Sequence, residues 1–432
     1  MSDPGPGQLR LLPFRAVRYN SERVPDLASV TAPPYDVIDE DEQIQLESRD
    51  PHNVVRLILP RDAPETASDA SASTDRYANA ARTFDNWLAD DVLAPDPTAA
   101  LYVYQQSRDG IVTQRGLLGA VVMQPLDGGV ILPHENVRTG PVEDRLALMR
   151  AMEANPEPIF LLYDGGGAAT RISAEAVTAA PLATMRTPDG TVHELWSLTD
   201  PEQLAMIAAD LADRHAMIAD GHHRYTTYGY LRDELHAAGR GPGPWDSGLT
   251  LLVDDSVATP DIRAIHRVIP GLSFSDALAA AAKGFRVETL DVTDADQALS
   301  ALASRGGHAF VVSDGRSFAM LSDPDADRLA EAKPAERTPA WWSLDASIAA
   351  VFVMEELWAV SDAAGQVEAE HDPRSALRLA AETRGSALLL NPAPLAAIMA
   401  VAEAGDAMPR KSTLFLPKPR SGVLLRAFRF ED

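Results

Sequence analysis

The stretch "HAMIADGHHRYTTYGYLRDEL" (residues 215–235) decides the local fold. The apolar residues 217–219 predict a short buried strand. Apolar and aromatic side chains then recur at helical spacing, at Tyr225, Tyr228, Leu231 and Leu235. The Asp-Gly pair at 220–221 is therefore predicted to join a strand to a helix, and residues 222–224 (His-His-Arg) to form the first turn of that helix.

The first turn of this helix has the chemistry of an anion site. Its backbone N–H groups and the positive end of the helix dipole both favour an anion. Gly221 lets the backbone approach a ligand closely, and Arg224 adds donors that match phosphate oxygens. We predict that this turn holds nucleotide phosphates, and that His222 and His223 are neutral there unless an anion lies beside them. The alternative is a polar helix start in which Asp220 pairs with Arg224 and the histidines face water. A metal site is a weaker interpretation, because adjacent histidines on a helix point about 100° apart.

Composition restricts the class of protein. A length of 432 residues predicts two or three domains. The net charge of −25 argues against a nucleic-acid partner, which requires a clustered cationic surface. The sequence has no cysteine, which excludes disulfides, thiolate metal sites and thiol nucleophiles. Neither a membrane span nor a secretory signal is expected, so we predict a cytoplasmic protein of undetermined oligomeric state.

The order of elements predicts an α+β fold rather than a doubly wound sheet. Residues 1–100 form an N-terminal α/β segment with the loop "PPYDVI", and residues 101–270 form a core that contains the phosphate turn. Residues 271–432 form a C-terminal α/β domain that contributes the segment "MPRKST".

Two features of the first segment are predicted in more detail. The proline-rich loop leads into a helix near Asp39, and the small polar residues 60–74 are expected to form a mobile loop. A further helix begins after Thr74, which can cap it. One face of that helix is expected to pack in the core, through Tyr77, Ala81, Phe84, Trp87 and Leu88.

Motifs spread over residues 32–422 resemble a conserved prokaryotic family known only as a domain of unknown function (number one-zero-one-five). They are "APPYDVI", "LPHENVRTGPVEDRLALM", "NPEPIFLLY", "DGHHRY", "HRVI", "LLLNP" and "MPRKSTLFLPKPRSG". The stretch "ADGHHRYTTYGYL" also resembles the phosphate-binding signature of the ParB/sulfiredoxin-like fold. The family in turn is similar to archaeal free-serine kinases, which phosphorylate the amino acid with a nucleotide donor. The points shared with these kinases lie within residues 116–422.

Relatives of this fold carry out three kinds of function, and the sequence discriminates among them. Sulfiredoxin-type repair uses a cysteine in the phosphate turn, where this sequence has His222. ParB-type DNA clamps need a helix-turn-helix and a basic face, which the net charge disfavours. Phosphoryl transfer to a small alcohol is the function that this comparison leaves.

Three residues are candidates for the chemistry of phosphoryl transfer, one of them by resemblance to the serine kinases. Glu135 in "LPHEN" is implied as the general base, although its spacing alone fits an ordinary glutamate at a helix start. His134 positions Glu135 or contacts phosphate, or is a structural histidine. Asp220 binds Mg²⁺ or the substrate hydroxyl, unless it only pairs with Arg224.

Further candidates surround these residues. Phosphate contact is predicted for "KST", at Lys411, Ser412 and Thr413, although such a run is usually a solvated loop. Arg145 completes the phosphate cradle or merely pairs with Glu143 or Asp144.

Four residues are placed on the substrate side. Tyr35 and Asp36 close the site over its ligand, or form a proline-rich turn with a buried tyrosine. His266 and Arg267 lie where the serine kinases keep an aromatic residue, and this sequence does not match that aromatic.

Together these features predict a kinase that uses Mg²⁺ and ADP or ATP to phosphorylate a small hydroxylated metabolite, with free L-serine as the first candidate. The alternatives are a non-catalytic nucleotide-binding regulator and a nucleotide hydrolase of the same fold.

Overall fold

The computed structural model describes residues 7–62, 75–362 and 365–431. Its chain forms two compact units, each built from separate stretches of sequence. Unit 1 consists of Met1–Leu132, Val137–Pro260 and Pro417–Asp432. Unit 2 consists of Pro133–Asn136 and Asp261–Leu416.

The limits of these units differ from those of the three segments suggested by the sequence. The segment limit at residue 100 lies inside unit 1, and the limit at residue 270 lies inside unit 2. The three-segment division therefore stays a prediction, and the two units are used below.

Strands and helices alternate irregularly along the chain. The strands are β1 (Leu11–Leu12), β2 (Val17–Tyr19), β3 (Leu93–Pro95), β4 (Leu101–Arg108), β5 (Ile111–Val122), β6 (Ile131–Leu132), β7 (Ala154–Asn155), β8 (Ile159–Tyr163), β9 (Ala183–Arg186), β10 (Val192–Leu198), β11 (Ala216–Asp220), β12 (Ser247–Asp254), β13 (Asp261–Ala264), β14 (His266–Ile269), β15 (Arg286–Leu290), β16 (Phe310–Ser313), β17 (Phe318–Ser322), β18 (Glu368–Glu370), β19 (Ser386–Leu389), β20 (Thr413–Leu416) and β21 (Arg426–Ala427).

The α-helices are α1 (Leu27–Val30), α2 (Glu40–Arg49), α3 (Val55–Ile58), α4 (Arg76–Ala89), α5 (Thr139–Met152), α6 (Ala168–Ala176), α7 (Pro201–Leu211), α8 (His222–Ala237), α9 (Phe274–Ala281), α10 (Ala295–Ala303), α11 (Ala326–Ala332), α12 (Pro339–Trp342), α13 (Asp345–Ile348), α14 (Pro373–Thr383) and α15 (Leu395–Glu403). A 3₁₀ turn covers Tyr35–Val37, and α13 continues into a π-helix at Ala349–Leu357.

Unit 1 is built on a nine-stranded mixed sheet. Its strand order is β6-β11-β8-β12-β5-β4-β10-β9, and β1 also pairs with β5. The β11/β6 and β12/β8 pairs are parallel, whereas the other pairs along this path are antiparallel. Strands β8 and β12 are buried along their whole length, which explains the continuous apolar character of β8.

The strand and helix expected in residues 215–235 are both present. β11 ends at Asp220 and α8 begins at His222. Tyr225, Tyr228 and Leu231 are buried in the core of unit 1, and Leu235 packs against it partly buried. The apolar period of this stretch therefore gave both the helix and its buried face.

The two helices expected in the N-terminal segment are also confirmed. Asp39 caps α2, since its carboxylate accepts a 2.8 Å hydrogen bond from the Glu42 N–H. In α4, Phe84 and Trp87 are buried, while Tyr77, Ala81 and Leu88 pack partly buried against the same core. Asp75 is the N-cap of α4. The expected cap Thr74, and all of the expected loop beyond residue 62, lie outside the described residues.

Unit 2 contains a six-stranded antiparallel sheet with a core on each face. Its strand order is β15-β17-β16-β19-β14-β18, and β13 and β20 form a separate antiparallel pair. Phe310 and Val312 belong to one apolar cluster and Val311 to the other, as expected when successive side chains point to opposite faces. Helices and sheets are thus mixed in both units, in agreement with the mixed class predicted. Across the described ranges, no helix is both long and apolar enough to cross a membrane.

Candidate functional site

The junction of β11 and α8 takes the tight form that its sequence predicts. Gly221 is the N-cap of α8 and has a φ of 94°, in the left-handed region that favours glycine. A Cβ at this position would lie 3.1 Å from Cγ2 of Ile159, so the backbone also passes close to β8. His222, His223 and Arg224 form the first turn of the helix.

The donors of Arg224 are used within the protein. Its side chain is 2% exposed, and Nη2 donates a 2.6 Å hydrogen bond to Oδ2 of Asp220. Nη1 donates to the carbonyl oxygen of Pro158. The Asp220–Arg224 pair is the one that the alternative interpretation of the sequence expected. These contacts hold the junction together.

The alternative interpretation had also expected both histidines to face water, and here the structure differs. His222 is buried, with 7% exposure. His223 is half-buried, and its Nε2 accepts a 3.0 Å hydrogen bond from the Arg138 N–H. Burial lowers the pKa of His223, which favours the neutral form of its ring.

A lysine that sequence reasoning missed completes this group. Nζ of Lys418 lies 2.5 Å from Oδ1 of Asp220 and 2.8 Å from Oδ2 of Asp36. Burial disfavours the charge of Lys418, but the two carboxylates outweigh it and raise the pKa of the ammonium group. Asp36, Lys418, Asp220 and Arg224 thus alternate in charge, and we call these four residues the charged row.

The backbone beside Lys418 is fixed by two buried glutamines. Nε2 of Gln114 donates to the carbonyl of Pro417 at 2.7 Å, and Nε2 of Gln106 donates to the carbonyl of Lys418 at 3.3 Å. Gln106 also donates to Gln114 at 2.9 Å. Because Pro419 follows, Lys418 lies between two prolines that restrict the backbone further.

The "PPYDVI" loop reaches the same place. The Tyr35 N–H donates a 3.0 Å hydrogen bond to Oε1 of Glu157, a carboxylate that is 1% exposed. The Tyr35 ring centroid lies 4.2 Å from the guanidinium of Arg145 and 5.9 Å from that of Arg224. Burial raises the pKa of Tyr35 to about 12. The loop therefore holds Tyr35 and Asp36 beside the start of α8, and Glu157 is a second residue that sequence reasoning missed.

Arg145 pairs with Asp144, one of the two acidic neighbours that its sequence offered as partners. Its Nε and Nη2 donate to Oδ2 of Asp144 at 2.8 and 2.5 Å, and its Nη1 donates to the Ile58 carbonyl at 2.5 Å. Nη1 also lies 3.8 Å from Oε2 of Glu157. With 3% exposure, Arg145 supports the Tyr35 loop from within.

The predicted residues of unit 2 form a second group. Oε1 of Glu135 accepts a 3.0 Å hydrogen bond from the Lys411 N–H, and Nε2 of His134 lies 3.1 Å from Oγ1 of Thr413. Ser412 is buried, and its hydroxyl donates to the Pro409 carbonyl at 2.5 Å. Lys411 has a φ of 49°, a left-handed conformation that is uncommon outside glycine.

Arg267 and His266 support this second group. Nη1 and Nη2 of Arg267 donate to the carbonyls of Lys411 and Arg410 at 2.9 and 2.8 Å. Nδ1 of His266 accepts from the Leu390 N–H at 3.3 Å. Burial, aided by Arg267, lowers the pKa of His266 to about 4. Arg267 thus fixes the backbone of the "MPRKST" segment.

The candidates therefore divide between the two units. Unit 1 holds Tyr35, Asp36, Arg145, Asp220, Gly221, His222, His223 and Arg224. Unit 2 holds His134, Glu135, His266, Arg267, Lys411, Ser412 and Thr413.

One signal could have found Lys418: it is one of only four lysines, and it lies in the motif "LPKPRSG".

The residues around Asp220 do not fit a Mg²⁺ ion held by the protein. Both oxygens of Asp220 are paired with cationic groups, Oδ1 with Lys418 and Oδ2 with Arg224. Within the part of the chain that the structure describes, no group of three or more histidine, aspartate or glutamate residues is arranged to hold a metal ion. Hard divalent cations are normally bound by several oxygen ligands at once.

The chain is thus a two-unit protein of mixed helix and sheet, with a tight strand-to-helix turn and the charged row in unit 1. The chain belongs to the family described as a protein of unknown function (DUF1015), whose model matches residues 11–347. No curated protein matches the chain.

Solved structures resemble the chain at low identity. A C-terminally truncated SbnI from Staphylococcus aureus is 14% identical, with 70% of this chain and 84% of that chain covered and a TM-score of 0.36. A mutant free serine kinase in complex with ADP is 13% identical, with 70% and 87% covered and a TM-score of 0.34. A conserved hypothetical protein from Pyrococcus furiosus is 15% identical, with 71% and 91% covered and a TM-score of 0.33.

Proposed function

We propose that the β11–α8 junction of unit 1 binds the phosphate groups of a nucleotide. The observation that carries this proposal is the start of α8. This helix is 16 residues long and begins at a glycine, which has no side chain with which to cap the first-turn amides. The helix dipole adds a partial positive charge at that end, and phosphate is the anion that such a turn commonly binds.

Two cationic residues support this proposal in different ways. Lys418 supplies a charged ammonium group beside Asp220, and 10% of its side chain is exposed. Arg224 is more deeply buried, and it positions Asp220 and the Pro158 carbonyl. We assign Lys418 to anion contact and Arg224 to positioning.

We further propose that the protein is a kinase with a ParB/sulfiredoxin-like core in residues 101–270, as its motifs suggest. The acceptor is a small hydroxylated metabolite, with free L-serine as the first candidate, and the donor is ADP or ATP. Glu135 is proposed as the general base, and Lys411, Ser412 and Thr413 as phosphate contacts. The hydrogen bond from the Lys411 N–H to Glu135 supports this assignment, because it holds one carboxylate oxygen in a fixed direction.

The proposed reaction is a single phosphoryl transfer. The base accepts the proton of the acceptor hydroxyl, a bond forms between that oxygen and the terminal phosphorus, and the bond to the leaving phosphate oxygen breaks. ATP would leave as ADP, and ADP would leave as AMP. Since the residues around Asp220 do not fit a resident Mg²⁺, no step is assigned to a protein-held metal.

The test separates binding from transfer. The protein is titrated with ADP and ATP by calorimetry, then incubated with each nucleotide, Mg²⁺ and a panel of hydroxy-amino acids. Wild type should give a phosphorylated product, and Glu135→Gln should bind nucleotide normally but lose about 100-fold or more of the rate. Glu143→Gln, an exposed change on α5, is the matched control and should keep the rate.

The outcomes are distinct. No heat with either nucleotide contradicts the binding proposal. Product formation by Glu135→Gln at the wild-type rate contradicts the base assignment alone. Tight binding by wild type without any product supports the non-catalytic regulator.

A further inference from the structure

We propose that Asp36 is an internal substitute for the ligand. Its carboxylate pairs with the ammonium group of Lys418, and a phosphate group binds by replacing that carboxylate. This inference rests on the proposed nucleotide binding at the start of α8. It adds Lys418 as the residue that receives the anion and Asp36 as the group that regulates affinity.

Exposure within the charged row shows which partner can leave. The side chain of Asp36 is 38% exposed, whereas those of Asp220 and Lys418 are 13% and 10% exposed. Asp220 is paired on both oxygens, with Lys418 and with Arg224. Asp36 is joined to the row at its end, through Lys418. Because Asp36 is the most exposed member of the row and has a single ion-pair partner in it, this contact is the one that breaks at the smallest cost.

The charge of the row supports the same exchange. With Asp36 in place, two carboxylates face two cations, and the row has no net charge to attract an anion. When the Asp36 carboxylate turns away, one positive charge remains on Lys418. A phosphate group, with its greater negative charge and several acceptor oxygens, then forms the stronger pair with the ammonium group.

The backbone on both sides of the contact is held, so the exchange needs only a side-chain rotation. Gln106 and Gln114 fix the backbone at residues 417–418. On the other side, Glu157 binds the Tyr35 N–H. Asp36 itself lies in a single 3₁₀ turn, and its side chain is the most exposed of the row.

The experiment compares the affinities of five forms of the full chain for phosphate compounds. Calorimetry measures ADP, ATP, AMP and inorganic pyrophosphate binding to wild type, Asp36→Asn, Asp41→Asn, Lys418→Arg and Lys418→Met. Asp41 is the matched control, because it is an exposed aspartate five positions further along that loses the same charge. Melting temperatures establish that each variant is folded.

Asp36→Asn should bind ADP at least about fivefold more tightly than wild type, because the ligand no longer competes with a resident carboxylate. Asp41→Asn should stay within about twofold, since salt screens a remote surface charge. Lys418→Arg keeps the cation and should bind, whereas Lys418→Met, if folded, should lose at least about tenfold. Tighter pyrophosphate binding by Asp36→Asn would identify the phosphates as the competing group, and a gain confined to ADP and ATP would also support the exchange.

Three results would overturn the inference. Equal ADP affinity in wild type and Asp36→Asn would show that Asp36 does not compete with the ligand, while nucleotide binding itself would stand. An equal gain in Asp36→Asn and Asp41→Asn would reduce the effect to overall charge. No binding by any form would remove the proposed function together with this inference.

Discussion

At the scale of single residues, the charged row contains a buried cation, Arg224. A buried ion pair affects the free energy of unfolding more than a solvent-exposed pair does. Arg224 is 2% exposed, so its guanidinium depends on Asp220 and the Pro158 carbonyl for the interactions that water would otherwise give. Removing one member of a buried pair leaves the charge of its partner less well compensated, and Asp220 would then keep only Lys418. Removal of one partner should therefore lower the free energy of unfolding measurably.

We predict that Arg224→Met lowers the free energy of unfolding by about 3–5 kcal/mol, the cost of removing one member of a buried ion pair. The control is Arg232→Met on the same helix, where Arg232 pairs with Asp233 in an exposed position. That change should cost less than about 1 kcal/mol. Urea denaturation of both variants measures the difference, and an equal loss in the two would mean that burial of Arg224 is not what stabilises the pair.

At the scale of elements, the junction depends on one glycine. A residue with a Cβ is strained at the φ of 94° found at Gly221, and its Cβ would lie 3.1 Å from Ile159 Cγ2 and 3.3 Å from Arg224 Nε. We predict that Gly221→Ala lowers the free energy of unfolding by about 1–3 kcal/mol and weakens nucleotide binding by displacing the first turn.

A second glycine of α8 is the control for this prediction. Gly229 lies inside the helix, where an added Cβ would meet no atom of the described residues within 4 Å. Gly229→Ala should therefore raise the free energy of unfolding by about 0.5–1 kcal/mol, because alanine loses less backbone entropy in a helix. Opposite signs for the two variants are expected in urea denaturation. A loss at both positions would point to a general intolerance of the helix to substitution.

The same junction shows what the sequence could predict and why the rest escaped it. Helical period and an Asp-Gly pair are local properties, and they were sufficient for β11, α8 and its buried stripe. The contact between Asp36 and Lys418 joins residues 382 positions apart, and no local pattern encodes such a pairing. Strand order in the nine-stranded sheet is likewise set by long-range packing. Tyr35 and Asp36 could be placed on the substrate side only through the family resemblance of their loop.

At the scale of the whole molecule, each unit buries a histidine that must stay neutral. In unit 1, Nδ1 of His193 lies 2.7 Å from the Tyr104 hydroxyl, and burial followed by Arg420 lowers the pKa of His193 to about 4. In unit 2, burial followed by Arg267 lowers the pKa of His266 to about 4. Both rings are therefore harder to protonate in the folded protein than in the unfolded chain.

The sign of the resulting pH dependence follows from that difference. An unfolded histidine titrates near pH 6.5, so below that pH the unfolded chain binds protons that the folded protein does not. Each histidine thus contributes stability that is present above pH 6.5 and is lost as the pH falls from 6.5 towards 4. The carboxylates with lowered pKa values, such as Asp36 and Asp144, lose their contribution only below about pH 4.

We predict that each histidine removes about 1 kcal/mol of stability between pH 7 and pH 5.5. Both pH values lie above the sequence pI of about 4.7, near which the vanishing net charge would promote association of the protein. His193→Gln and His266→Gln should each lose less stability over the same interval than wild type does, whatever their stability at pH 7. Urea denaturation at the two pH values measures this difference for each variant. If a variant loses as much as wild type, the histidine it lacks is protonated alike in the folded and unfolded states, and its burial has no part in the acid response of that unit.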